Sequence, residues 1–369
     1  MQPQELETLR LCTRLLASIF LAFLPANGFA AVATKPEPLC PSSHTPAAPA
    51  RAHKGAAKTG ASNAGAPRRA TKQKQTQKQS QTQAQIQALE LLRPGQSAEL
   101  LKELHILTRD GAINQDSRRK LKQVYHLFGF IEPLLAQLHA SGRSNITLAD
   151  HGAGKSYLGF ILYDLFFKQL GSGTVYGIET RPELVEKSTA LAQQLGFARM
   201  QFLALSVQQA SASSALPDSF DVVTALHACD TATDDAIAFA LQKNAQHLVL
   251  VPCCQAEAAA CLRQHKAEQL ARTPLAELWR HPLHTREIGS QLTNVMRCLY
   301  LEALGYRVTV TELVGWEHSM KNELILASYT GQKKRSAATR MHSIAESFGL
   351  QDWLQTRFPW VMQINQTFD

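Results

Sequence analysis

The segment Asp150-His151-Gly152-Ala153-Gly154 combines residue types that could bind a nucleotide. It follows a short apolar run, residues 146–149, and it precedes an amphipathic stretch, residues 157–170. A strand, a glycine turn and a helix in that order predict a loop whose backbone N–H groups face an anionic or polar ligand. Glycine suits such a loop because a side chain would hold the ligand away from the backbone, and because a positive φ can be required.

A second acidic residue stands at the equivalent point of the next predicted strand. Residues 174–178 form an apolar run that ends at Glu179. In a doubly wound sheet, a carboxylate at the end of the second strand can accept hydrogen bonds from the ribose hydroxyls of a ligand. Pro182 suits the first turn of a following helix, so Glu179 could also help to start that helix. The two roles are compatible, and Asp150 with Glu179 predicts a nucleoside-binding site.

These residues carry a resemblance to a known class of enzyme. Asp-x-Gly-x-Gly followed by an acidic residue at the end of the second strand resembles class I S-adenosylmethionine-dependent methyltransferases, over about residues 115–330. A dinucleotide-binding Rossmann loop would need glycine or alanine where Tyr157 stands, and the spacing of a P-loop is absent. The resemblance implies S-adenosyl-L-methionine as cofactor and the following cofactor-binding residues: Asp150, Gly152, Gly154, Lys155, Tyr157, Glu179, Ser206 and Val207.

The fold implied is α/β, a Rossmann-like sheet of seven strands with helices on both faces and an antiparallel last strand. In the resemblance, Glu179 contacts the ribose, while Ser206 and Val207 lie at the adenine edge. The apolar runs predict strands at residues 146–149, 174–178, 198–205, 221–226, 246–251, 304–313 and 323–329.

Three polar segments follow late strands and are expected to form the acceptor site. Ligands of open α/β sheets bind beyond the carboxyl ends of the strands, so segments at those ends should converge. They are residues 227–235, 252–255 and 315–322. Leu-His-Ala-Cys-Asp-Thr-Ala-Thr-Asp at 226–234, with the tandem Cys253-Cys254, resembles the methyltransferase-like group that includes eukaryotic tRNA ribose methyltransferases. The chain departs from that group at Asp230 (glycine there) and Gln255 (histidine there), and it has no counterpart of the group's zinc-finger modules.

Methyl transfer mainly requires that the acceptor be aligned and that a proton be removed. His227 or Asp230 could act as the base for a hydroxyl or an amine, and His318 and Lys321 could orient a ribose hydroxyl or lower its pKa. Structural alternatives are a strand-end hydrogen bond for His227 and a helix cap for Asp230.

The cysteines allow a different chemistry. A thiolate from Cys253 or Cys254, assisted by Cys229, could add to carbon 6 of a pyrimidine and activate carbon 5 for methylation. A zinc site built from these cysteines with His227 or His318 lacks C-x-x-C spacing, and no metal is predicted. Seven cysteines do not indicate a disulfide framework and favour a reduced, cytoplasmic setting.

The chain divides into four predicted parts. Residues 1–86 are expected to be a disordered arm, 87–140 a helical segment, 141–331 the methyltransferase domain and 332–369 a helical appendage. Residues 51–89 hold eight basic and no acidic side chains, whereas residues 90–369 hold 27 of each. Such an arm would attract a polyanion such as RNA, or it would serve as a solubilising linker.

The helical segment has its own basic cluster. Helices are predicted at 97–107 and 117–138, the second capped by Asp116 or Ser117. The cluster after this cap could bind substrate phosphates or form a solvated helix face, and its members are Arg118, Arg119, Lys120 and Lys122.

Residues 11–31 have some features of a signal peptide, but Glu5 and Glu7 precede them and the methyl donor is made in the cytoplasm. A cytoplasmic methyltransferase that acts on RNA, in preference to protein or a small molecule, is therefore the functional prediction. The alternative is a non-catalytic RNA-binding protein on a degenerate methyltransferase fold. No membrane association is predicted.

Overall fold

The computed structural model describes residues 86, 90–226, 230–252, 255–264, 273–313 and 323–359. All of them lie within the compact unit Gly65–Asp369. Apart from Ile86, the predicted arm lies outside the described residues, and the domain boundaries given above stay predictions.

The centre of the fold is a seven-stranded sheet of order β3-β2-β1-β4-β5-β7-β6. Strands β1 to β5 are parallel, whereas β7 is antiparallel to both β5 and β6. The strands are β1 (Thr147–His151), β2 (Thr174–Glu179), β3 (Met200–Ala204), β4 (Val222–Leu226), β5 (His247–Val251), β6 (Tyr306–Glu312) and β7 (Glu323–Tyr329). The predicted fold class and the antiparallel last strand are confirmed.

Helices connect the strands and cover the sheet. They are α1 (Ala98–Glu103), α2 (Gln115–Ala140), α3 (Tyr157–Leu162, continued by a π-helical turn, Tyr163–Phe167, and by Lys168–Leu170), α4 (Pro182–Gln194), α5 (Val207–Ala212), α6 (Ala232–Gln242), α7 (Glu257–Gln264), α8 (Pro282–Ala303), α9 (Arg335–Phe348) and α10 (Gln351–Arg357). A 3₁₀ helix, Pro274–Trp279, precedes α8.

Both faces of the sheet are buried, because alternate residues of each strand point to opposite sides. Leu148 and Val175 pack with Phe160 of α3 in the cluster that also contains α1, α2 and α4. Ala149 packs with Phe239 of α6 in the cluster formed by the later helices. Since helices occupy both faces, the edge at which the parallel strands end is left for a ligand.

The strand order reverses between β1 and β4, which defines the switch point of this sheet. The chain goes outward from β1 through β2 to β3 and then returns to the other side of β1 to form β4. Ligands of open α/β sheets bind beside such a reversal. The glycine turn, which follows β1, lies at this point of the molecule.

The helical segment is joined to the sheet domain through Asp164, in the π-helical turn of α3. Its carboxylate is fully buried, and it accepts hydrogen bonds from the Ser97 backbone N–H (2.7 Å) and from Lys168 Nζ (3.2 Å). Ser97 is also the N-cap of α1, so one residue caps the helix and fastens it to the domain.

Two details of the helical segment differ from prediction. The N-cap of α2 is Asn114, whose Oδ1 accepts the Ser117 N–H at 2.7 Å, so the prediction of Asp116 or Ser117 as the cap is wrong. Helix α1 ends at Glu103 instead of residue 107, because His105 takes a left-handed conformation (φ 56°).

At the other end of the chain, α9 and α10 pack on the cluster of the later helices. Trp353 and Phe358 are buried there, while Trp360 lies outside the described residues. Arg357 and the Trp353 Nε1 group both donate to the Glu257 carboxylate of α7. No helix among the described residues is long and apolar enough to cross a membrane.

Candidate functional site

The glycine turn requires glycine for its backbone conformation. Gly152 and Gly154 have φ of 67° and 57°, a region that costs an L-residue energy. Within the described part of the chain, no atom lies within 4 Å of a Cβ placed on Gly152, so the space beside it is open. The N–H groups of Gly152 and Ala153 both donate to the Ile178 carbonyl (2.9 and 3.1 Å), which fixes the turn against the end of β2.

Asp150 braces this turn from inside the protein. The strand continues two residues further than predicted, so Asp150 belongs to β1 and only 2 % of its surface is exposed. Its Oδ1 accepts from Thr224 Oγ1 (3.0 Å) and its Oδ2 from Ser156 Oγ (3.1 Å). Burial raises the pKa of Asp150 to about 6, and these hydrogen bonds offset only part of that rise. Thr224 and Ser156 were not singled out from the sequence.

Glu179 ends β2, as predicted, and it is held beside the turn. Its Oε2 accepts the Gly154 N–H (2.8 Å) and Arg181 Nη2 (3.1 Å), while its Oε1 accepts Arg181 Nε at 3.0 Å. Burial alone would raise the pKa of Glu179, but the hydrogen bonds from Arg181 and Gly154 outweigh it and lower the pKa to about 2. The group is therefore a carboxylate at neutral pH, which is the form that accepts from two hydroxyls.

The remaining predicted cofactor residues lie on the turn, at the start of α3 and at the start of α5. Lys155 is exposed on the turn, and Tyr157 is half-buried at the start of α3. Ser206 is the N-cap of α5: its Oγ accepts the Gln209 N–H (3.3 Å), and its own N–H donates to Gln209 Oε1. Val207 is the first residue of α5, next to that cap. The Leu205 N–H donates to the Glu179 carbonyl at 3.1 Å, which places this segment next to the end of β2.

His151, beside Asp150, has an unusual environment that the sequence did not reveal. It is 5 % exposed and lies 5.5 Å from the Phe239 ring centroid, and neither of its ring nitrogens has a hydrogen-bond partner among the described residues. Burial lowers the pKa of His151 to about 4, against a smaller opposing effect of Glu179. The imidazole is therefore neutral at physiological pH.

On the acceptor side, the structure describes one of the predicted catalytic residues. Asp230 has a left-handed backbone (φ 53°), and its Oδ1 accepts the Ala256 N–H at 2.9 Å, which joins the segments after β4 and β5. The other candidates lie outside the described residues: His227, Cys229, Cys253, Cys254, His318 and Lys321. Within the described ranges, no group of three or more His, Cys, Asp or Glu side chains could hold a metal ion.

Comparisons with known proteins find a methyltransferase domain in this chain. Residues 119–261 match a family model described as a methyltransferase domain. The chain is similar to magnesium protoporphyrin IX methyltransferase from Synechocystis PCC 6803 with bound SAH (14% identity, 62% of this chain and 94% of that chain, TM-score 0.36). It is also similar to an rRNA methylase from Streptococcus thermophilus (9% identity, 50% and 87%, TM-score 0.31) and to the Methanococcus jannaschii fibrillarin pre-rRNA processing protein (9%, 51% and 68%, TM-score 0.32). No curated protein matches the sequence.

Three observations indicate the class of protein. They are the strand order, the glycine turn with its two carboxylates and the matched domain. Residues 119–261 are a methyltransferase domain, and the chain is an S-adenosylmethionine-dependent methyltransferase built on this seven-stranded α/β sheet. Its methyltransferase domain contains the matched residues 119–261, and its cofactor is S-adenosyl-L-methionine.

Proposed function

We propose that this methyltransferase acts on RNA, by direct transfer of a methyl group to a nucleotide held beside the glycine turn. The supporting observation is a groove of about 460 Å³ between the end of α1, the turn and α4. The titratable side chains that line it include the two lysines Lys155 and Lys187, together with His105 and Glu103. Its apolar wall includes Tyr157 and Leu191.

A groove of this composition suits a nucleotide. Lysines attract the phosphate groups, and an aromatic ring such as that of Tyr157 offers a surface on which a base can stack. The exposed side chains of Arg119, Lys120 and Lys122 extend the basic surface along α2, which packs on the same side of the sheet as α1 and α4. The local resemblance of residues 226–234 to tRNA ribose methyltransferases favours a tRNA or rRNA acceptor.

The cofactor site fits S-adenosyl-L-methionine in charge and space. When bound, this cofactor supplies an electrophilic methyl group on a sulfonium ion. Glu179 offers carboxylate oxygens to the ribose hydroxyls, and the open space at Gly152 allows close approach to the backbone. Ser206 and Val207 are proposed to contact the adenine edge. Asp150 keeps the turn in place through Ser156 and Thr224.

Removal of the acceptor proton is assigned to the segment after β4. An oxygen or nitrogen nucleophile of the RNA would have to lose a proton as it accepts the methyl group that the bound cofactor would supply. Asp230 or His227 is proposed as the base, with His318 and Lys321 as orienting groups. The alternative, in which Cys253 or Cys254 first adds to a pyrimidine, predicts a covalent enzyme–RNA intermediate. The reaction is placed in the cytoplasm, where the methyl donor is made.

The test is transfer of tritiated methyl groups from S-adenosylmethionine to total RNA, with protein and metabolite fractions as parallel acceptors. We expect labelled RNA, and a loss of at least about tenfold in kcat/KM for the double variant Lys155→Glu/Lys187→Glu, because both lysines face the groove. Lys333→Glu, an exposed lysine before α9, is the matched control and should keep the parental rate. Labelling of protein or metabolites with no label in RNA would overturn the proposal.

A further inference from the structure

A fully buried arginine lies behind the acceptor segments. Arg297, in the middle of α8, has 0 % exposure. Its Nε donates to Asp234 Oδ1 at 2.6 Å and its Nη2 to Asp234 Oδ2 at 2.8 Å, a two-point ion pair with the first turn of α6. A buried charge is tolerated only when it is paired and its donors are satisfied. Loss of either partner of this ion pair would therefore destabilise the fold.

The same guanidinium reaches beyond Asp234. Its Nη2 also donates to the Asp230 carbonyl (2.8 Å), and its Nη1 donates to Asn294 Oδ1 (3.0 Å). Since the Asp230 carboxylate accepts the Ala256 N–H, the segment after β5 is tied to the segment after β4 through a residue that Arg297 holds. The Asp230 side chain therefore connects the segments after β4 and β5, and Arg297 holds the Asp230 backbone.

Asn294 extends these contacts to the start of β7. Its Oδ1 accepts from Arg297 and from Gln255 Nε2 (3.2 Å), which leaves its Nδ2 to donate to Glu323 Oε2 at 2.6 Å. Glu323 is the first residue of β7, directly after the segment 315–322. The Ser290 hydroxyl contacts Gln255 Oε1, so the orientation of both amides is fixed by their partners.

We propose that Arg297 is a positioning residue for methyl transfer, one that sets the segments after β4 and β5 and the start of β7 relative to one another. The planar guanidinium uses donors in different directions for Asp234, Asp230 and Asn294, which a lysine ammonium cannot reproduce. The inference rests on the proposed function in one respect, namely that the acceptor binds at this rim of the sheet.

The experiment compares Arg297→Lys with Arg297→Met in the full chain. Arg340→Lys is the matched control. Arg340 is an exposed residue of α9 that makes an ion pair with Glu302 of α8. Three quantities are measured: the affinity for S-adenosylmethionine, kcat and KM for methyl transfer to RNA, and hydrogen exchange of peptides that span residues 226–236 and 251–258. Cofactor affinity and the kinetic constants together separate cofactor binding from acceptor positioning. Hydrogen exchange requires no acceptor.

For Arg297→Lys, we expect cofactor affinity close to that of the parent, a kcat lower by about 100-fold, and faster exchange in both peptides but not in the glycine turn. A role limited to neutralising Asp234 would be rescued by lysine, so a parental kcat in Arg297→Lys with a low kcat in Arg297→Met would overturn the proposal. Unchanged exchange in both peptides would overturn it as well.

If Arg297→Met does not fold, Asn294→Ala replaces it, because that variant keeps the Arg297–Asp234 pair and removes the hydrogen bonds that join Asn294 to Arg297 Nη1, Gln255 and Glu323. It should lower kcat without a change in cofactor affinity, and a parental kcat would count against the proposal. If the parent protein transfers no methyl group to RNA, the RNA acceptor is wrong, whereas the exchange data still decide the role of Arg297.

Discussion

At the scale of single residues, two carboxylates of the candidate cofactor site have pKa values that are shifted in opposite directions. Asp150 is buried between two hydroxyl donors and has a raised pKa, whereas Glu179 is paired with Arg181 and the turn and has a lowered one. Asp150 therefore supports the turn, and Glu179 remains charged, as its proposed role in cofactor binding requires. Glu179, whose carboxylate stays ionised at neutral pH, is therefore the residue expected to decide cofactor affinity.

Replacement of Glu179 by glutamine tests this assignment. Glu179→Gln keeps the size of the side chain but offers one acceptor oxygen and an amide that repels hydroxyl donors, so affinity for S-adenosylmethionine should fall by about 10- to 100-fold. Isothermal calorimetry measures the change, with NAD as a ligand that should not bind. Glu183→Gln, an exposed acid in the first turn of α4, should bind the cofactor as the parent does. Equal affinities for both variants would remove Glu179 from the site.

His151 predicts a pH dependence of stability. The unfolded chain takes up a proton near pH 6.5, but folded His151 does so only near pH 4, so folding becomes less favourable as pH falls between these values. The loss has a limiting slope of about 1.4 kcal/mol per pH unit. Asp150 acts in the opposite direction, because its raised pKa favours the folded state as pH falls from about 6 to 4. A variant that changes only His151 separates the two.

We therefore expect His151→Leu to gain stability relative to the parent as pH is lowered from 7 to 5. Urea unfolding at each pH measures the difference in the free energy of unfolding. His126→Leu, on the exposed side of α2, provides the control and should follow the parent curve. A constant difference between His151→Leu and the parent at all pH values would contradict a neutral, buried imidazole.

At the scale of elements, α8 is the helix that connects the acceptor segments, and its contact with α7 is close. A Cβ on Gly289 would lie 2.6 Å from the Ala259 backbone nitrogen, so only glycine allows this approach of the two helices. Gly129 in α2 is a matched contrast, because within the described part of the chain no atom lies within 4 Å of the Cβ it would gain. Both glycines lie inside helices, and they differ in what surrounds them.

Gly289→Ala should therefore lower the free energy of unfolding by about 1–3 kcal/mol, since backbone must move to admit the methyl group. Gly129→Ala should raise it by up to about 1 kcal/mol, because alanine is the better helix former. Denaturant unfolding of both variants measures whether the free energy of unfolding falls for Gly289→Ala and rises for Gly129→Ala. The same displacement of α8 would carry Arg297 with it, so Gly289→Ala should also reduce methyl transfer more than it reduces cofactor affinity. Stabilisation by Gly289→Ala would show that α7 and α8 are not in close contact.

At the scale of the whole molecule, the sequence predicts the sheet better than it predicts the site. Apolar runs in the sequence predict the positions of β1 to β7 closely. Residues 323–329 coincide with β7, and Glu179 ends β2 as expected. These signals are local in the sequence. The contacts of the site are not: Thr224 reaches Asp150 across 74 residues, and Arg297 reaches Asp234 across 63.

Local rules also leave small ambiguities. Asn114, Asp116 and Ser117 are all good N-cap residues, and the choice of Asn114 depends on where the chain enters α2 after α1. The polar groups around Arg297 lie on helices and loops whose patterns are those of ordinary amphipathic or polar segments. Only the folded structure shows that these groups are joined by hydrogen bonds around the buried Arg297.

The distribution of charge over the chain gives the last prediction. Residues 51–89 hold eight basic and no acidic side chains, while residues 90–369 are balanced. If the arm contacts RNA, removal of residues 1–85 should weaken RNA binding and make it less dependent on salt, since each phosphate neutralised on a single strand contributes about 0.7 to the slope of log K against log salt. Affinity for S-adenosylmethionine should not change, because Glu179 and the glycine turn are retained. RNA affinity measured between about 50 and 200 mM salt, a range over which such contacts weaken strongly, provides the data. Equal slopes for the two proteins would assign RNA binding to the basic groove at Lys155 and Lys187, and would leave the arm as a linker.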